Sequence, residues 1–120
     1  MARLLVHIAT GLENPTRAAL GLLVARTAVE AGHEVDVFLA GDGVALLRPE
    51  TLDTGNGIGT GSLREHVTAL VAGGARFYLS GMSSKARGMT PEVLGGLDAT
   101  FAPPSRLVEL AFEADRVLTY

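Results

Sequence analysis

Residues 14–40 read NPTRAALGLLVARTAVEAGHEVDVFLA. Asn14 can accept from the free N–H groups of a first helical turn, Pro15 suits that turn because its missing N–H is not needed there, and Gly32 suits a C-terminal stop. Between these signals lies an apolar stretch, Ala18 to Val29, interrupted by Arg26. Val35 to Ala40 follows, a short apolar run bounded by turn residues, as is Leu4 to Ala9 ahead of the helix. Both runs read as strands buried on two faces. A connection that contains a whole helix is a crossover, not a hairpin, so the two strands are expected to be parallel.

The same alternation continues outward. Phe77 to Leu79, a weaker Ala99 to Ala102 and Val117 to Tyr120 read as further strands. A helix is expected from Ser62, which has capping-box spacing to Glu65, to about Ala72, before Gly73-Gly74. A short helix follows Thr90-Pro91-Glu92, and another spans Pro104 to Ala114. Alternating strands and helices predict an α/β fold with three layers, α/β/α, around a five-stranded, mainly parallel sheet of flavodoxin-like appearance, in one domain over residues 1–120. The segment from about Pro49 to Gly61 breaks the pattern: it is long and glycine-rich, and is expected to be mobile or buried only in an oligomer.

Composition narrows the function classes. With 48% hydrophobic residues, a chain of 120 residues has ample material for a core. Net charge is −3, and the ten Lys and Arg are spread from Arg3 to Arg116 without a basic cluster, which argues against a nucleic-acid partner. There is no cysteine, so disulfides, thiolate metal sites and thiol nucleophiles are excluded. His7, His33 and His66 show no metal-ligand spacing, and no cofactor is expected. The apolar run at residues 4–9 is too short for a signal peptide and the one at 18–29 too short to cross a bilayer, so a cytoplasmic location is expected, with no membrane partner.

The glycine-rich stretch from Thr54 to Ser62 suggests a nucleotide loop but does not meet its requirements. The dinucleotide fingerprint needs a third glycine where Ser62 stands, and a Walker A motif needs a lysine that is absent. A connector, or a minor anion site, is the expectation. In parallel sheets ligands bind beyond the carboxyl ends of the strands. Three segments meet that condition: Thr10 to Asn14, Gly41-Asp42-Gly43, and Ser80 to Gly88.

In these segments Asn14 reads as a cap and Glu13 stays open, while Asp42 either caps a helix over Val44 to Leu47 or faces a ligand. His7, inside the first strand, reads as a core or interface histidine with a satisfied hydrogen bond, or less simply as a site residue. In SGMSSKARG, residues 80–88, the hydroxyls of Ser80, Ser83 and Ser84 and the cations Lys85 and Arg87 would stand at the sheet's carboxyl edge, where they could hold a carboxylate, sulfate or phosphate. The competing account is that Arg87 pairs with Asp42 or Glu13 and holds the loop in shape.

These segments, in this order, resemble the DsrE/DsrF-like family of small sulfur-relay proteins, which includes the TusD-type subunits. The resemblance covers almost the whole chain: the first strand and helix, residues 31–39 leading into Gly41-Asp42-Gly43-Val44, residues 75–79, Lys85-Ala86-Arg87-Gly88, and Ala114 to Leu118 after the last helix. It implies a DsrEFH-type fold. Relay members carry a persulfide-bearing cysteine four residues before the arginine of the Arg-Gly pair, the position that Ser83 occupies here, and often a second at the position of Ser80. A serine hydroxyl cannot carry a sulfane sulfur, and its pKa is far too high for thiolate chemistry. The resemblance also implies a homo-oligomer, commonly a trimer or hexamer, with this loop near a subunit boundary.

Two function classes remain. The first is a non-catalytic, oligomeric binding or accessory protein that engages a small anion or a partner protein, a cysteine-bearing paralogue included, at residues 80–88. The second is a hydrolase or transferase with Ser83 or Ser84 as nucleophile, for which His7, Asp42 and Lys85 are the candidate bases. No Gly-x-Ser-x-Gly elbow supports the second. The exposed apolar set that motivates self-association is Phe101, Leu107, Leu110 and Phe112.

Overall fold

The computed structural model describes residues 2–120. Five strands, β1 (Arg3–Ile8), β2 (Glu34–Leu39), β5 (Arg76–Ser80), β6 (Ala99–Ala102) and β7 (Arg116–Thr119), form one sheet in the order β6-β5-β2-β1-β7. Every pairing in it is parallel. The chain walks outward from β1 through β2 and β5 to β6, then crosses the sheet to add β7 on the far side of β1.

The helix expected between Asn14 and Gly32 is α1 (Pro15–Glu30), and its punctuation is as the sequence predicts: the Asn14 side chain accepts from the Arg17 N–H, and Gly32 has φ +90° just beyond the last turn. Helix α3 (Leu63–Ala72) is capped by Ser62, whose hydroxyl accepts from the Glu65 N–H. Both pack on one face of the sheet, over a core that includes Val6, Ile8, Leu22, Val37, Leu39, Leu70 and Leu79. Because strand side chains alternate between faces, the intervening residues Leu5, Phe38 and Tyr78 point the other way. They form a smaller core with Ala102 and Leu110 under α5 (Pro104–Glu113).

One helix does not cover five strands. On the α5 face a carboxylate fills part of the gap: Asp36 is fully buried and bridges Arg3 on β1 at 3.1 Å and Arg76 on β5 at 2.7 Å. The hydrogen bond and charge of Asp36 raise the already high pKa of the Arg76 guanidinium. Beside them Arg106 lies over the Tyr78 ring, 5.5 Å from its centroid.

Three expectations are corrected. Residues 49–61 are not a mobile loop: they form α2 (Pro49–Thr54) and the first strand of a small antiparallel ribbon, β3 (Asn56–Gly57) with β4 (Gly61–Ser62). The ribbon is tied to α1 through Thr16, whose Oγ1 accepts from the Ile58 N–H at 3.1 Å and whose carbonyl accepts from the Thr60 hydroxyl at 3.0 Å. His66 Nε2 donates to the Thr60 carbonyl at 2.7 Å. Leu110 is buried, because it faces the sheet from α5, whereas Phe112 on the same helix is 88% exposed. Finally, β7 is exposed along its length: it is an edge strand that no helix covers.

Candidate functional site

The carboxyl ends of β1, β2 and β5 converge on a small set of loops. After β2 the chain turns through a 3₁₀ segment, Gly41–Leu47, and after β5 it turns directly into a short helix, α4 (Gly81–Ala86). Residues 80–88, expected to hold an anion, are therefore mostly helical. Ser80 is the cap of α4, with Oγ accepting from the Ser83 N–H at 3.2 Å. The closing turn reaches Gly88, at φ +67°, and the Met89 N–H donates to the Ser84 carbonyl at 2.9 Å.

Ser83 points back toward β2. Its Oγ accepts from the Gly41 N–H at 2.9 Å and makes no hydrogen bond to His7, Asp42 or Lys85. A serine nucleophile works with a base at about 2.6–3.2 Å, often farther without substrate; here the Ser83 hydroxyl pins two loops together and none of those bases is bonded to it. Arg87 is also engaged. Its Nε and Nη2 donate to Asp42 Oδ1 at 3.2 and 3.0 Å, and its Nη1 donates to the Ser83 carbonyl at 3.1 Å. Asp42 is therefore not a helix cap, since the 3₁₀ segment begins after Ala40 without a side-chain cap.

Glu13 ties down the first loop, Oε1 accepting from the Gly11 N–H at 2.7 Å. With Leu12, Asp42, Ala45, Thr51 and Arg87, it lines an open hollow of about 430 Å³. Two carboxylates and one guanidinium leave this hollow net negative, which disfavours an anion at Arg87. Lys85, on the exposed side of α4, makes no ion pair among the described residues.

Ser84 is buried, and its Oγ has no hydrogen-bond partner. His7 makes no hydrogen bond to this cluster; it is on the α5 face, with its ring edge-on to Phe38 at 6.2 Å. Its expected hydrogen bond is missing: Nε2 is buried without a partner. Burial lowers its pKa below the ordinary histidine value. As pH falls through about 6.5 the unfolded chain takes up this proton first, so stability drops from there toward the lower folded value. Urea midpoints between about pH 7.5 and 5.5 should fall with acid in the wild type and fall less in His7→Gln; equal slopes would show that His7 carries none of the dependence. No group of three or more His, Asp or Glu among the described residues is placed to hold a metal.

Sequence reading missed Arg48 and Gly11. Arg48 donates to the Arg87 carbonyl at 2.7 Å, a contact across 39 residues with no local signal. Gly11 lets the first two loops touch, since a Cβ there would sit 2.5 Å from the Asp42 carbonyl oxygen, and Gly43 lets the second loop meet the end of β1, where a Cβ would run into the Ile8 carbonyl oxygen.

Comparison with known proteins agrees with this architecture. The model of the DsrE/DsrF-like family matches residues 2–120. Among solved structures the chain is similar to the ychN protein from E. coli, at 17% identity and TM-score 0.74, covering 100% of this chain and 99% of that one. It is similar to a conserved protein of unknown function from Bacteroides thetaiotaomicron, at 14% identity and TM-score 0.74, with 99% and 95% covered. A protein of unknown function from Methanobacterium thermoautotrophicum shares 20% identity and TM-score 0.72 over the whole of both chains. These likenesses establish the fold. No protein of curated function matches. With the five-stranded parallel sheet, the strand-to-α4 turn at its carboxyl edge and a family match over residues 2–120, the chain belongs to the DsrE/DsrF-like family, as a member with no cysteine.

Proposed function

We propose that this protein is a non-catalytic, oligomeric binding or accessory member of its family. One observation carries the reading: at the position that resembles the relay cysteine, the Ser83 hydroxyl is occupied by the Gly41 N–H and has no base beside it. What remains at the carboxyl edge is a binding surface with Lys85 as its uncommitted cation. The hydrolase or transferase alternative requires a free, activated Ser83. Treatment with a fluorophosphonate, followed by peptide mass spectrometry, should leave Ser83 unlabelled; stoichiometric labelling there would establish the enzyme reading instead.

Self-association is supported by the uncovered edge strand β7 with exposed Val117 and Leu118, and by exposed Val108 and Phe112 on α5. An exposed strand edge invites pairing with another chain, and a trimer or hexamer of this chain, or a mixed complex with a cysteine-bearing paralogue in the cytoplasm, fits that surface. Native mass spectrometry should show a discrete assembly, and Phe112→Glu should shift it toward monomer. A wild-type monomer, alone and with the paralogue, would overturn this part of the reading.

A further inference from the structure

Helix α4 separates two hollows. On one side lies the negative hollow at Arg87; on the other, between α4 and β6, lies a second of about 300 Å³, whose walls include Gly81, Ser84, Lys85, Met89, Pro91 and Phe101. Its surface is mostly apolar, from Met89, Pro91 and Phe101. Thr90 also lines it, and two further polar groups adjoin that surface. Ser84, only 1% exposed, carries a hydroxyl with no hydrogen-bond partner, although buried polar groups are nearly always satisfied. Lys85 brings an ammonium free of any ion pair among the described residues.

We propose that this second hollow binds a small monocarboxylate with an apolar body. Lys85 neutralises the carboxylate, the Ser84 hydroxyl donates to it after a turn about χ1, and the apolar body packs against Met89, Pro91 and Phe101. The volume sits at the small end of the ligand-site range, roughly 300–1,000 Å³, which suits an acid of one ring or a short branched chain. A bare phosphate or sulfate fits poorly: it would leave the apolar wall wet and would meet a single cation. The inference deepens the binding-protein reading and rests on it for the identity of the working surface.

Benzoate titrated into the whole protein, followed by amide chemical shifts in NMR, tests the proposal. Saturable shifts are expected at Ser84, Lys85, Met89 and Phe101. Benzyl alcohol, which keeps the ring and loses the charge, and inorganic phosphate, which keeps charge and loses the ring, should each bind about tenfold more weakly or worse. Lys85→Gln and Phe101→Ala should weaken benzoate to a similar degree. Ser84→Ala is the discriminating variant: removing an unpartnered hydroxyl should leave the melting temperature unchanged or higher, while benzoate affinity falls. Shifts that never saturate, that map to the Arg87 side of α4, or that are the same for benzoate, benzyl alcohol and phosphate would overturn the site. The fluorophosphonate result is separate from this one, so a labelled Ser83 removes the non-catalytic reading without bearing on benzoate, and absent benzoate binding removes this site alone.

Discussion

Asp36→Ala should lower the free energy of unfolding by about 3 kcal/mol, the low end of the cost of breaking a buried ion pair. The carboxylate is fully buried and meets Arg3 and Arg76 from two neighbouring strands. The side chains of Arg3 and Arg76 are 25% and 50% exposed. Once the carboxylate is gone both can turn to water, which keeps the loss from reaching the upper end. Domains of this size are held by only about 5–15 kcal/mol, so the shift is large. Urea denaturation near neutral pH measures it. Arg76→Met should cost about 1 kcal/mol or less, because a half-exposed charge gains little from pairing, and Asp36 keeps Arg3. Equal losses in the two variants would mean that the carboxylate is not the centre of the cluster.

Gly43→Ala should cost about 3 kcal/mol, the upper part of the range for forcing extra atoms into a packed site. The added methyl would meet the Ile8 carbonyl oxygen, which belongs to the β1 backbone and cannot rotate aside. The Gly43 N–H is also bonded to the Ala40 carbonyl at 2.9 Å, so the turn has little freedom to retreat. Relief must come from parting the first two carboxyl-edge loops. The amides of Gly11, Gly41 and Asp42 should therefore exchange faster with solvent, while those of α3 stay protected. Gly74→Ala serves as contrast: its Cβ would meet nothing within 4 Å, so any loss there comes from its φ of +80° alone. A loss for Gly43→Ala no greater than that of an ordinary surface change would show that Gly43 is not in close contact with the end of β1.

The lack of cysteine, and with it the lack of a sulfur-carrying thiol, is complete in the sequence. So are the elements whose signals are local: the Asn14 cap, the Gly32 stop and the Ser62–Glu65 cap each involve residues a few positions apart. The parallel α/β architecture follows as well, because a helix-length crossover admits only a parallel partner. Residues 49–61 show where such reading stops. Glycine density signals a loop when the chain is read locally, whereas what orders this segment is Thr16, 42 residues from Ile58. The site residues behaved in the same way. That Ser80 to Gly88 lies at the carboxyl edge could be read from its place after a strand, but Ser83 meets Gly41 across 42 residues and Arg87 meets Asp42 across 45. Those pairings depend on β2 and β5 being neighbours in the sheet. Only the strand order decided that Arg87 is spent on Asp42 and that Lys85 is left unpaired. The exposed face of β7 has the same origin: Val117 to Tyr120 read like any buried strand until the chain, having crossed the sheet, adds β7 at an edge that nothing else covers.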